Sequence, residues 1–141
     1  MEQQNIITDA FEVSNPYLRK MHAEADTMQA FLVEPARLQD PTSLTVRLKD
    51  MDVYMARLSE MISRAKAMKE RALNLFLTEN EAKLAKLTAT ASNRLINTHL
   101  YEYVVTYNRL DTMYHTAEHL SRDLVTQISY IKQQMATGLY D

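Results

Sequence analysis

Apolar residues recur along this chain at helical spacing, and they do so in three separate stretches. In the first, Leu18, Met21, Ala25, Met28 and Leu32 follow the three-and-four alternation that puts side chains on one helix face. Ser14-Asn15-Pro16 supplies a start signal, an oxygen-bearing cap followed by Pro at the first helical position. Glu34-Pro35 and Asp40-Pro41 end that pattern, because each Pro disfavours α geometry in the residue before it. The spacing therefore predicts a helix over 16–33, preceded by an irregular lead-in over 1–15.

The second stretch carries Leu44, Leu48, Met51, Met55, Leu58, Ile62, Ala65, Lys69, Ala72 and Phe76 in a heptad pattern with Lys69 as its one polar intrusion. Beside it runs a further seam of Tyr54, Met61, Met68 and Leu75, spaced by seven. Three apolar positions per heptad are too many for a single partner helix, so this segment is expected to touch at least two neighbours. Lys69 either specifies register at some cost in stability or snorkels out of the core. In the third stretch, twelve positions from Ile96 through Leu100, Tyr103, Tyr107, Leu110, Tyr114, Ala117, Ser121, Leu124, Ile128 and Ile131 to Met135 alternate without a slip. That regularity predicts a coiled-coil-like helix stopped by Gly138, with Leu139 free to make the accompanying apolar contact.

Where the second helix gives way to the third is less sharply marked. Thr78-x-x-Glu81 has the form of a capping box, while Thr88-Ala-Thr-Ala-Ser92 is a cluster of residues that favour caps over helix interiors. Leu73, Leu77, Leu84 and Leu87 continue a heptad shifted by four, a stutter. The preferred division is a helix over 42–86, a reversal near Thr88 and a helix over 90–136. An antiparallel pairing with Phe76 facing Ile96 keeps both stripes in phase and sets Ala65 against Tyr107 and Met51 against Ser121. The expected fold is all-α: one domain over 1–141, an elongated helical hairpin or coiled-coil-like bundle with one shorter N-terminal helix.

Composition sharpens this expectation. Thr42 to Thr137 is 96 consecutive residues with neither Gly nor Pro, which leaves little to build the turns of a sheet. A single Gly excludes Gly-rich phosphate loops, nucleophile elbows and dinucleotide fingerprints, and the absence of Cys excludes disulfides and thiolate chemistry. No apolar run approaches a membrane span and no leader pattern opens the sequence, so a cytoplasmic setting is expected. The net charge of −2 is segregated: residues 1–42 carry three basic and seven acidic side chains, residues 43–92 nine and six.

Candidate chemistry is sparse. His115-Thr-Ala-Glu-His119 spells a metalloprotease order on a helix, with Asp111 and Asp123 four residues to either side. A catalytic zinc needs a third protein ligand and an open position, and these residues fall on the outer face of the heptad. Glu-x-x-His, the inward motif of di-iron bundles, does not occur. No catalytic residue, cofactor or metal ligand is assigned, and the chain is read as not an enzyme. Arg57, Arg64 and Arg71 recur every seven residues and make a candidate nucleic-acid line. Their competing role is an exposed face paired with Glu60 and Glu70. Tyr101, Tyr103, Tyr107, Asn108, Arg109 and Tyr114 could stack bases, although Tyr103, Tyr107 and Tyr114 occupy core positions.

A first helix of 18 residues spans about 27 Å and can cover only the early half of the second. Tyr54, Met61, Met68 and Leu75 are accordingly the candidate interface, with Met61 and Met68 foremost. The N-terminal arm or the 78–92 connector is the alternative cover. The expected partners are a second copy of the chain, as a dimer or higher oligomer, and a protein; nucleic acid is possible but not favoured.

Ala85 to Thr90, Asn108-Arg-Leu110 and Leu124 to Lys132 resemble small all-helical accessory proteins of bacteriophages and mobile elements. The resemblance covers about residues 80–135. It implies a binding protein in the host cytoplasm, directed against a defence complex or serving a recombination apparatus, and carries over no functional residue. The remaining readings are a single-stranded nucleic-acid accessory factor and a structural component of a larger assembly.

Overall fold

The computed structural model describes residues 13–36 and 39–138. Among them the fold is all-α, with no strand and with four helices: α1 (Pro16–Val33), α2 (Pro41–Glu79), α3 (Glu81–Ala85) and α4 (Ala89–Ala136). Most of the expected lead-in, and the Leu139 contact, lie outside the described residues. α2 and α4 form the long antiparallel hairpin, and α1 lies along the trough between them.

Local chemistry accounts for the helix ends. Asn15 caps α1 by accepting from the Tyr17 and Leu18 amides, and Pro16 needs no donor partner at the first position. Glu34 is extended ahead of Pro35 and stops the helix. Asp40 caps α2 by accepting from the Ser43 amide at 2.9 Å, while the Ser43 hydroxyl donates to its other carboxylate oxygen. These Ser43 bonds hold the Asp40 carboxyl below its ordinary pKa. Thr88 caps α4, whose 48 residues make a rod about 72 Å long. Gly138 takes the left-handed conformation, φ +73°, in which a Cβ would be strained.

One boundary is corrected. The helix expected over 42–86 breaks at Asn80, leaving α3 as a separate turn. The Asn80 side-chain amide donates to the Phe76 carbonyl at 2.9 Å, alongside its own backbone N–H, an alternative to continuing the helical ladder. Thr78 donates to the Asn74 carbonyl, the interior pattern, in place of a capping box. The register also differs by about one helical turn. Phe76 stacks on His99, Lys69 sits over Tyr107 and Ser121 donates to the Met55 sulfur. The reversal is confined to Lys86–Thr88, close enough to α4 to displace the pairing by three to four residues from Phe76–Ile96. Lys69 therefore lies against an aromatic face rather than in the core.

The core is concentrated where three helices meet. Leu18, Met21, Ala25, Met28 and Leu32 of α1 are all buried, the same five that the spacing selects. Opposite them α2 buries Leu44, Met51, Leu58, Met61 and Ala65, and α4 buries Thr106, Leu110, Met113 and Ala117. Thr106 and Met113 lie off the single stripe expected for α4, on the flank that α1 covers.

Candidate functional site

The position of α1 decides which parts of the second seam are covered. Glu24 pairs with Arg57, and Phe31 meets both Arg47 and Tyr54. Arg47 also donates to the Phe31 and Glu34 carbonyls at the end of α1. The connector thus returns the chain so that α1 ends level with Arg47, not with the start of α2, and its Tyr17 reaches the level of Met68. Met61 is consequently only 1% exposed, and the expectation that it stands uncovered is corrected. Tyr54 is half-buried, its ring 4.6 Å from that of Phe31.

The other two members of that seam remain at a surface. Met68 and Leu75 line an open recess between α2 and α4, just beyond the N-terminus of α1, with a volume of about 500 Å³. Phe76 and Tyr103 line it from the two long helices, Ala72 and His99 between them, and Arg71 and Glu79 bring charge to it. Leu75 is 57% exposed and Tyr17 69%, high values for large side chains beside one recess. His99 stacks on Phe76 with centroids 4.3 Å apart.

The three heptad-spaced arginines have different partners. Arg57 makes a two-pronged contact with the Glu24 carboxylate at 2.8 and 2.9 Å and also reaches Glu60 at 3.1 Å. The Glu24 hydrogen bonds raise the Arg57 pKa further. Arg64 pairs with the same Glu60 at 2.9 Å. Arg71 makes no ion pair among the described residues and stands at the recess. The line is therefore not a row of three free cations. On α4, exposed His115 is 3.6 Å from Asp111 and exposed His119 stands four residues on. Among the described residues no group of three or more His, Asp or Glu could hold a metal ion.

A polar seam joining α1 to α4 has no precursor in the sequence reading. Arg109 donates to His22 Nδ1 at 2.9 Å and to the His22 carbonyl, and pairs with Asp26 at 2.6 Å. With Nδ1 accepting, the ring proton is assigned to Nε2, which donates to buried Thr106 at 2.8 Å; Thr106 in turn donates to the Glu102 carbonyl. Burial, then the Arg109 charge, lower the His22 pKa against the opposing pull of Asp26. The Glu102 carboxylate accepts from the Ser14 amide and hydroxyl at 2.8 Å and from the Asn15 amide. Its burial opposes ionisation, but these bonds outweigh it and hold the carboxyl below its usual range. The contacts between the two helices and their flanks join residues 83 to 88 positions apart, and no local pattern pairs them.

Comparison with protein-family models, with characterised proteins and with solved structures gives no match. Among the described residues, no helix is long and apolar enough to cross a membrane.

Proposed function

We propose that this chain is a non-enzymatic helical module that binds a protein through the part of its hairpin, next to the reversal, that α1 leaves uncovered. It would act as an accessory protein of the kind its resemblance to phage and mobile-element proteins implies. The observation that carries this reading is the recess between the two long helices, where exposed Leu75 and half-buried Met68 of α2 and half-buried Tyr103 of α4 meet solvent beside exposed Tyr17. A patch of that kind, rimmed by charge, is how protein-binding surfaces are built. Self-association through the same residues is the simplest form of such binding.

The test is a photo-crosslinking amino acid at position 75 in the full chain, with position 53 as control, since Val53 is 68% exposed but outside the recess. Protein adducts should form from position 75, be lost in Met68→Asp and stay at background from position 53. Equal yields from the two positions would refute the reading. Light scattering of the same samples separates self-association from a foreign partner. Single-stranded nucleic acid is the weaker reading, because Arg57 and Arg64 already engage carboxylates. A salt titration with labelled oligonucleotide tests it, and binding that steepens at low salt would favour it.

A further inference from the structure

α1 is itself an example of what fills the trough between α2 and α4. It is an amphipathic helix whose Leu18, Met21, Ala25, Met28 and Leu32 enter the trough, and its Glu24 meets Arg57 on the wall. Beyond Tyr17 the trough continues without it, lined by Met68, Leu75, Phe76 and Tyr103. Arg71 lies two heptads past Arg57 and so on the same stripe of α2. The contact that Glu24 makes with Arg57 has no counterpart at Arg71, which makes no ion pair among the described residues. Residues 66–101, the end of the hairpin, carry six basic side chains against three acidic ones.

We propose that this recess takes an amphipathic helix of a second protein, lying in line with α1 and placing a carboxylate against Arg71. This rests on the protein-binding reading and narrows it to an acidic helical partner. Two observations favour that occupant over a flat surface contact: the trough is continuous with one already filled by a helix, and on its wall Arg71, set apart in sequence from the other charged lining residue, Glu79, makes no ion pair among the described residues and so offers a carboxylate a partner. Arg71 would then form the same two-pronged pair that Arg57 forms within the chain.

Two labelled, stapled 18-residue helices provide the probe, both with the apolar spacing of α1, one with Glu and one with Lys at the position equivalent to Glu24. Anisotropy titrations against the full chain should show the Glu helix binding at least tenfold tighter. Arg71→Glu should reverse that preference, and Leu75→Asp should weaken both helices while leaving the circular dichroism unchanged. Equal binding of the two helices, or no reversal in Arg71→Glu, overturns the acidic-helix inference. If neither helix binds but position 75 still crosslinks to protein above position 53, the inference falls and the protein-binding reading stands. If position 75 also stays at background, both fall. Crosslinks from position 75 to another copy, or to residues 1–12 of the same chain, would also overturn the inference by naming a different occupant.

Discussion

The two ends of the hairpin are built from the same pair of helices and differ in one thing, the presence of α1. From Leu44 to Ala65 on α2, five side chains are at or below 1% exposure, and α2 contacts both α1 and α4. Between Lys69 and Val105 only Phe76, at 8%, and its counterpart Leu100, at 7%, are buried, and Leu75 is mostly in solvent. A helix with three apolar positions per heptad needs two neighbours, and α2 has two over only part of its length. The difference separates the stretch that holds the molecule together from the stretch available to something else.

That contrast can be tested by substitution, and the largest effect is expected in the closed half. Leu58→Ala removes a fully buried side chain and should cost about 2–5 kcal/mol in urea unfolding, whereas Leu75→Ala should change stability by no more than about 0.5 kcal/mol. Comparable losses at the two positions would mean that the uncovered part is packed after all. Thr106→Val takes the acceptor from His22 Nε2 and should cost about 1–3 kcal/mol, measured the same way. A neutral result would remove the polar seam from the forces that hold α1 in place.

Acid should act on the same seam. His22 has a folded-state pKa below its ordinary 6.5, so the unfolded chain binds its proton first as pH falls. The contribution of neutral His22 is present above pH 6.5 and is lost as pH drops through the lowered folded value. Protonation at Nδ1 would also set two cations, His22 and Arg109, at the present 2.9 Å contact. Urea midpoints should decline just below pH 6.5 in the parent and decline less in His22→Gln. The smallest effect is expected at the Arg57–Glu24 pair, whose side chains are over a third exposed. A double-mutant cycle there should give about 0.2–1 kcal/mol, shrinking with salt.

Much of this architecture was legible from local signals. α1 has the predicted bounds because Asn15-Pro16 and Glu34-Pro35 act within one turn of the chain, and its five buried residues follow from spacing alone. Thr88 marked the start of α4 for the same reason. The break at Asn80 was hidden because apolar residues continue in a heptad on both sides of it. Met61 was misplaced because the reach of α1 depends on where the 34–40 connector returns the chain, a matter of tertiary contacts such as Arg47 on Phe31. Thr106 could not be recognised as buried, since its partner His22 lies 84 residues away. Of the candidate interface, Met68 and Leu75 share the recess, and Arg71, a candidate for nucleic acid by its heptad spacing, lines it with them.

The short reversal between α3 and α4 has a consequence for how the chain folds. Phe76 and His99 are 23 positions apart, so bringing them together closes a small loop, whereas the His22–Thr106 contact closes a loop of 84 residues. Closure entropy grows with loop length, so the end of the hairpin is the cheapest place to begin zipping and the α1 seam among the dearest. Yet the early contacts bury the least. The rate-limiting step should therefore fall after the hairpin end has formed and before α1 has docked. Leu58→Ala should then slow folding, and Thr106→Val should mainly speed unfolding.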